Sequence, residues 1–305
     1  MLKTSRRSTK RHLAVATLAS AAIALSACAP TDEADSGTDS GSETSGGSES
    51  EAPAADECTP ETMETVADGT LTIATDDPAY EPWFVDDEPS NGQGFEGAVA
   101  RAVAGKLGFE PADVTWVKQG FNEAIKPGDK PFDFDVNQFS ITKKRAQVVD
   151  FSAPYYKAKQ AVITLEKSPF AEATSLEALK GAKLGAQVGT TSLEAAEQVE
   201  TSSKPLVYDD TSKAAQALQN KQVDAIIADV PTAYYLVGAE LDGAKIIGQF
   251  EPQTGESEQF GLLLDKGSKL TPCVSAAVED LRKDGTLAKL EKQWLSQKTS
   301  VPELS

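Results

Sequence analysis

The sequence predicts an α/β fold with two lobes, two mostly parallel sheets flanked by helices and a ligand cleft between the lobes. Strand-like and helix-like segments alternate along the chain, which favours mostly parallel sheets covered on both faces. The 305 residues suit about two domains of ordinary size, and no internal repeat is visible. A cleft between two such lobes is a natural site for a small molecule.

The individual elements are predicted from hydrophobic periodicity and turn residues. Leu71 and Ile73 alternate with small residues, which indicates the first strand. Phe95 and Val99 begin a helical spacing that stops at Gly108. Further strands are predicted in ADVTWVKQ, FDFDVNQFSI, QAVITLE, AKLGAQVG, PLVYDD, VDAIIADV, AKIIGQF and EQFGLLLDK. Further helices are predicted in SLEALKG, TSLEAAEQV, TSKAAQALQNKQ, TAYYLVG and, as a pair, VSAAVEDLRKDGTLAKLEKQWLS.

The N-terminal segment predicts export and lipid anchoring. Residues 1–27 combine a basic start with a short apolar run, which is typical of a secretory signal peptide. The small residues before Cys28 resemble the bacterial lipobox, which implies a lipoprotein with a lipidated (palmitate-type) Cys28. The alternative is an ordinary signal peptide with a cysteine nearby by chance. Residues 28–57 have no aromatic or large aliphatic residue and predict a disordered acidic linker.

Charge and residue types exclude several functions. The net charge of −18 argues against a nucleic-acid partner, because phosphate binding needs a basic face. The single histidine, His12, lies in the predicted signal peptide. A mature chain without histidine excludes Ser-His-Asp and Cys-His catalysis and every histidine-ligated metal site. We expect no metal and no cofactor.

The remaining cysteines bear on how the lobes are divided. Cys58 and Cys273 lie near the two ends of the predicted folded part, in a compartment that permits disulfides. If they pair, both chain ends belong to one lobe; the alternative is two free thiols. Pairing predicts a first lobe of residues 58–156 plus 257–305 and a second lobe of residues 157–256. The polar run EPQTGESEQ is then one of two crossings between the lobes.

The stretch FSITKKRAQVVDFSAPYY carries the clearest candidate binding residues. Gln138 and Ser140 are predicted on one face of a strand end, and Thr142 is a good N-cap for a following helix. Arg145 then lies one turn into the helix, where its guanidinium can form two parallel bonds to a carboxylate. The alternative is a surface cation, as the neighbouring lysines are expected to be.

This stretch resembles the signature of the polar amino-acid solute-binding proteins of ABC importers, such as those for glutamine, histidine and lysine/arginine/ornithine. The resemblance extends from Leu71 to Leu295. It implies a periplasmic-binding-protein-like fold that closes over an amino acid. It also implies a monomer that works with the permease and ATPase subunits of an importer.

The resemblance assigns roles to residues of the first lobe. Asp77 would reach the ligand side chain, and Tyr80 would cover it. Phe121 would form a second aromatic wall, while Ser140 and Arg145 would hold the α-carboxylate. The alternatives are a half-buried surface aromatic for Tyr80 and simple core packing for Phe121.

Second-lobe residues are assigned in the same way. Gln187, Thr190 and Thr191 lie where a loop opens a helix and would complete the carboxylate grip, since helix N-termini favour anions. Asp229 follows a buried strand and would hold the α-ammonium group. The alternative for the threonines and for Asp229 is an ordinary N-cap. Gln138 stands where the family usually has a small residue, which implies a smaller or differently polar pocket.

The predicted function is therefore capture of a polar amino acid, of glutamine or basic type, by hinge closure and delivery to an ABC importer. The protein would be extracytoplasmic, anchored to the outer face of the cell membrane by Cys28, and not an enzyme. One alternative is an enzyme on the same fold, of the cyclohexadienyl dehydratase type or a cell-wall glycan lytic type, with Asp77 and Asp229 as acid and base. The other is a ligand-sensing domain.

Overall fold

The computed structural model describes residues 58–252, 258–295 and 301–304. The predicted signal peptide, the lipidation site Cys28 and the acidic linker lie outside these residues. Within the described part of the chain, no helix is both long and apolar enough to cross a membrane.

The first sheet has five strands in the order β2-β1-β3-β12-β4. β1 is parallel to both of its neighbours, whereas β12 is antiparallel to both of its neighbours. The strands are β1 (Leu71–Thr75), β2 (Val114–Lys118), β3 (Phe134–Asp135), β4 (Val149–Phe151) and β12 (Leu263–Asp265).

The second sheet also has five strands, in the order β10-β6-β9-β7-β8. β7 is parallel to its two neighbours, and β6 is antiparallel to its two neighbours. The strands are β6 (Gln160–Leu165), β7 (Leu184–Gln187), β8 (Leu206–Tyr208), β9 (Ala225–Asp229) and β10 (Ala244–Phe250).

A two-stranded ribbon of β5 (Tyr156–Lys157) and β11 (Gln259–Phe260) lies where the chain passes between the two sheets. We call the halves built on the first and the second sheet the first and second lobes, and the ribbon the hinge. The predicted boundaries between residues 156 and 157 and between 256 and 257 remain predictions. The first falls inside β5, and the second lies at residues that the structure does not describe.

Helices cover the sheets. α1, α6 and α7 pack on the first sheet around a core that includes Phe95, Val99 and Val278. Apolar side chains also fill both faces of the second sheet, with Ile163 on one face and Leu184 on the other. The helices are α1 (Phe95–Lys106), α2 (Phe121–Ala124), α3 (Thr191–Gln198), α4 (Thr211–Gln219), α5 (Val230–Tyr235), α6 (Thr271–Lys283) and α7 (Thr286–Leu295).

The predicted class, α/β with two sheets flanked by helices, is confirmed, but the sheets are mixed rather than mostly parallel. The antiparallel pairs involve the strands that follow a crossing between lobes. β6 follows the first hinge strand, and β12 follows the second. Alternation of helices and strands predicts strand direction only within a lobe. The pattern therefore located these two strands but did not give their antiparallel direction.

The segment after β3 also differs from the prediction. β3 covers only two residues, and Gln138 has φ +47°, so it does not alternate with Ser140 along a strand. The predicted helix after Thr142 is a single 3-10 turn, Arg145–Gln147. The Thr142 hydroxyl does accept a hydrogen bond from the Arg145 amide at 3.1 Å. The backbone therefore bends at Gln138 and does not extend the sheet.

Two links tie distant parts of the chain together. Cys58 and Cys273 form a disulfide between the start of the described chain and α6. Residues 301–304 lie on the second sheet, where the Gln249 amide donates to the Pro302 carbonyl and the Leu304 amide donates to the Gln249 carbonyl, both at 2.8 Å. We therefore assign this segment to the second lobe, although the predicted boundaries place it in the first.

Leu304 is buried in the core of the second lobe, and Gly248 makes room for it. A Cβ atom at Gly248 would lie 2.4 Å from the Leu304 Cγ atom. We expect Leu304→Ala to lower the free energy of unfolding by about 2–3 kcal/mol, as other large-to-small core changes do. Urea denaturation measures it. The control is Leu206→Ala, on a residue 45% exposed, with an expected loss of about 0.5 kcal/mol or less. Equal losses in both variants would contradict the anchoring role.

Candidate functional site

The main candidate site is a cavity of about 60 Å³ between the two lobes. It lies at the ends of β1 and β3 in the first lobe and at the starts of α3 and α5 in the second. Asp77 and Arg145 do not line it. Eight of the ten predicted ligand-binding residues do: Tyr80, Phe121, Gln138, Ser140, Gln187, Thr190, Thr191 and Asp229.

Aromatic side chains close one side of the cavity. The Tyr80 hydroxyl accepts a hydrogen bond from Ser212 at 3.1 Å, and its ring lies 6.3 Å from that of Tyr235. The Trp83 Nε1 donates to the Thr232 hydroxyl at 2.9 Å. Sequence reasoning missed Trp83 and Tyr235, although Trp83 follows Tyr80 by three residues in the same loop. These contacts join the two lobes across the cleft.

The first-lobe acid that lines the cavity is Asp76, not the predicted Asp77. Asp77 Oδ2 pairs with Lys118 Nζ at 2.8 Å on the surface. Asp76 accepts hydrogen bonds from the amides of Asp77 at 2.8 Å and Phe121 at 3.4 Å. Burial raises the pKa of Asp76 above its usual range. Two adjacent acids at the end of a strand point to opposite sides, and the sequence does not say which one points inward.

Arg145 lies behind the cavity wall and bridges the lobes. Its Nη1 donates to the Ser140 carbonyl at 2.8 Å, and its Nη2 donates to the Gly189 carbonyl at 3.0 Å. The guanidinium carbon lies 5.2 Å from the Phe121 ring centre, and Phe121 stacks on Phe139. The predicted fork toward a ligand carboxylate is therefore turned toward two carbonyls instead. Burial lowers the pKa of Arg145 from a very high ordinary value.

The loop after β7 places two threonines with different roles. The Thr190 hydroxyl accepts from the Leu193 amide at 3.1 Å and is the N-cap of α3. The Thr191 hydroxyl instead faces the Ser140 hydroxyl at 3.0 Å, across the cleft. Gln187 accepts from the Thr211 hydroxyl at 2.7 Å. The capping alternative therefore applies to Thr190, while Thr191 presents its hydroxyl to the first lobe.

Asp229, which lines the cavity, is joined to a second carboxylate, Glu258, by one bridging amide group. Gln160 Nε2 donates to Asp229 Oδ1 at 2.9 Å and to Glu258 Oε2 at 2.8 Å. The Asp229 side chain makes no capping bond to α5, so the capping alternative fails. Burial raises the pKa of Asp229 well above its usual range, and the negative charge of Glu258 adds to this effect.

Glu258 also reaches the two facing hydroxyls. Its Oε1 accepts from the Ser140 hydroxyl at 2.5 Å and from the Thr191 hydroxyl. Sequence reasoning missed Glu258 because it lies in a polar run, where acids usually face solvent. The available signal was its position two residues before the apolar Phe260. In an extended segment, residues two apart face the same side, and Phe260 is buried.

Gln138 is held from behind by a buried carboxylate. The Glu96 side chain, fully buried on α1, accepts from the Gln138 amide at 2.8 Å, from the Gln138 side chain and from the Tyr155 hydroxyl. Burial raises the pKa of Glu96 to about 7, although hydrogen bonds from Tyr155 and Gln138 oppose the shift. These bonds fix Gln138 in its left-handed backbone conformation while the residue lines the cavity.

Comparisons with known proteins agree on one family. Residues 71–297 match the family of bacterial extracellular solute-binding proteins, family 3. The chain is 28% identical over 228 residues to the L-cystine-binding protein of Escherichia coli K12, covering 74% of this chain and 82% of that protein. It resembles the structure of an ancestral arginine-binding protein bound to glutamine, with 32% identity, a TM-score of 0.61 and coverage of 74% and 97%. An ancestral amino acid-binding protein, a precursor of cyclohexadienyl dehydratase, is 28% identical with a TM-score of 0.60 and coverage of 74% and 94%.

The buried Glu96 predicts that stability falls as pH rises. An acid whose pKa is higher in the folded than in the unfolded chain binds more protons when folded, so its contribution declines between about pH 4.5 and 7. Full loss of the Glu96 contribution corresponds to about 3 kcal/mol. Asp76, Asp133, Asp135 and Asp229 act in the same direction.

We therefore expect Glu96→Gln to reduce the difference in unfolding free energy between pH 5 and pH 8, measured by urea denaturation at both values. Glutamine keeps an oxygen that accepts from Tyr155. The matched control is Glu123→Gln, which changes an acid that is 60% exposed and pairs with Lys126. An unchanged pH dependence in Glu96→Gln would show that Glu96 is not the titrating group.

Proposed function

Because the chain belongs to family 3 of the bacterial extracellular solute-binding proteins, we propose that it captures an α-amino acid between its two lobes. As a member of this family it is an extracytoplasmic amino-acid-binding protein of the ABC transporter type. The observation that carries the proposal is that one cavity holds facing hydroxyls from both lobes beside the half-buried acid Asp229. An amino acid carries two opposite charges, and such a site offers a partner for each: hydroxyl donors for the carboxylate and an acid for the ammonium group.

The α-carboxylate would bind at Ser140 and Thr191. These hydroxyls come from different lobes and lie 3.0 Å apart. The buried Arg145 cation stands directly behind Ser140 and supplies positive potential there, although its N–H groups contact carbonyls. The start of α3 favours negative charge at the same place.

The α-ammonium group would bind at Asp229. This carboxylate is half-buried, lines the cavity and accepts one bond from Gln160. A buried acid gains most from a cationic partner, because burial penalises its charge when no cation is near. An ammonium group beside Asp229 would thus offset the desolvation penalty of the ionised carboxylate.

The ligand side chain would extend toward Tyr80, Trp83 and Asp76. Two aromatic rings and one acid suit a polar side chain with a long apolar stem, of basic or amide type. The names of the relatives, which include cystine, arginine and glutamine as ligands, support a polar amino acid.

Closure of the lobes would bring the ligand contacts of both lobes together. The closed shape would distinguish the ligand-bound protein from the free one. Tyr80 and Trp83 line the cavity and contact the second lobe, while Arg145 contacts that lobe from behind the cavity wall. A ligand that bridges both lobes binds the closed state better and shifts the population toward it. Hinge closure of this kind is general in periplasmic binding proteins.

The closed protein would then deliver the amino acid to the permease and ATPase subunits of an ABC importer. We further propose that it acts as a monomer and that a lipid on Cys28 holds it at the outer face of the cell membrane. The acidic segment of residues 28–57 would serve as the tether. The lipid anchor and the tether rest on the sequence pattern alone, since residues 28–57 lie outside the described part of the chain.

The enzyme alternative retains the shared fold with the precursor of cyclohexadienyl dehydratase. Its acid–base pair, however, included Asp77, which pairs with Lys118 outside the cavity. Asp229 is thereby left without that partner for proton transfer. We therefore favour binding over catalysis.

A thermal-shift panel of the common L-amino acids at millimolar concentration tests the proposal. A ligand present at about 100 times its Kd adds roughly 2.7 kcal/mol to the stability, which raises the melting temperature visibly. We expect Asp229→Asn to weaken binding on the order of 100-fold, because the ammonium group loses a buried charged partner. Asp77→Asn is the matched control and should bind as the wild type does. A flat panel for the wild type would contradict the proposal and favour the enzyme or the sensor.

Asp76 separates the two candidate side-chain classes. If the ligand is basic, Asp76→Asn should weaken L-arginine binding by about tenfold or more, since a charged hydrogen bond is replaced by a neutral one. L-glutamine binding should change little. Isothermal titration calorimetry with both amino acids measures the difference. Equal losses for both would show that Asp76 supports the pocket and does not read the side chain.

A further inference from the structure

Glu258 occupies the position that the proposed function assigns to the ligand carboxylate. Its Oε1 accepts from the hydroxyls of Ser140 in the first lobe and Thr191 in the second. Its Oε2 accepts from the Gln160 amide. Three donors from both lobes thus converge on one side-chain carboxylate at the base of the cleft.

We propose that Glu258 is a tethered competitor for the amino acid, which must displace it to bind. This inference rests on the proposed function, because it concerns the same two hydroxyls. A glutamate side chain and an α-carboxylate present the same group, so the donors that hold one will hold the other. The hydroxyls cannot donate to both at once, since each has a single O–H.

The tether is short and well anchored. The Glu258 carbonyl accepts from the Ala158 amide at 3.0 Å, which fixes its backbone against the other hinge segment. The next two residues form β11, paired with β5. In the closed arrangement of the structure, the hinge backbone holds the Glu258 carboxylate beside both hydroxyls, and only the side chain needs to turn away.

The surrounding charges favour displacement of Glu258 by a ligand that carries both a carboxylate and an ammonium group. Asp229 lies beside Glu258, joined to it through the Gln160 amide, and Arg145 lies behind Ser140. Two neighbouring carboxylates repel each other, and an α-ammonium group would relieve this repulsion. A ligand with both charges compensates for the displaced Glu258, whereas a simple carboxylate would meet two acids and no new cation.

A competitor of this kind sets the affinity of the site. If Glu258 holds the hydroxyls in about nine of ten molecules, the apparent affinity for an amino acid is about tenfold weaker than it is without Glu258. The contact would thus tune the protein to its working concentration of amino acid and favour release after delivery.

The test measures Kd by calorimetry for L-arginine, L-glutamine and agmatine, the amine that lacks the carboxylate of arginine. The proteins are the wild type, Glu258→Ala, Glu258→Gln and the control Glu197→Ala, which removes an exposed acid from α3. We expect Glu258→Ala to bind at least one of the two amino acids about tenfold more tightly. Glu258→Gln should show a smaller gain, because its amide oxygen still accepts from the hydroxyls without the charge. Agmatine should gain nothing.

Unchanged or weaker binding of both amino acids by Glu258→Ala would overturn the inference. Weaker binding by both Glu258 variants would make Glu258 part of the ligand site. An equal gain for agmatine would also overturn it, because the effect would then not depend on the carboxylate. If neither amino acid binds the wild type or any variant while the panel of amino acids stays flat, the proposed function itself fails. These results are distinct, so the two proposals can fail separately.

Discussion

The buried guanidinium of Arg145 is the interaction on which the rest of the site depends. It donates to one carbonyl in each lobe and stacks on Phe121, so a single cation links the wall of the cavity to both halves of the molecule. A buried charge is tolerated only when nearby groups compensate for it. The negative charges of Glu258, Glu194 and Asp229 supply part of that compensation by favouring the charged form of Arg145.

The acids around the cavity favour the binding of a cation. Asp76 and Asp229 line it, while Glu96 lies behind Gln138, and burial raises the pKa of all three. Asp135 adds a fully buried carboxylate for which the described residues provide no hydrogen-bond partner. A cleft lined and backed by this excess of acid favours a bound cation, and the ammonium group of an amino acid is the cation that also carries a carboxylate for Ser140 and Thr191.

Much of this arrangement could be predicted from the sequence, and the exceptions have physical causes. Period-two and period-3.6 patterns located most strands and helices, and the alternation predicted the α/β class. Local patterns could not give the direction of strands that follow a crossing, nor the positive φ of Gln138, because both depend on contacts with distant residues such as Glu96. The choice between Asp76 and Asp77 and the inward turn of Glu258 depend on side-chain direction, which spacing alone does not determine.

A crystal structure of the protein grown with saturating L-arginine or L-glutamine, whichever stabilises it more, tests the central claim most directly. The account predicts an amino acid in the cleft with its carboxylate at Ser140 and Thr191, its ammonium group at Asp229 and the Glu258 side chain turned away. An amino acid bound elsewhere, or bound with its carboxylate away from these hydroxyls, would contradict it.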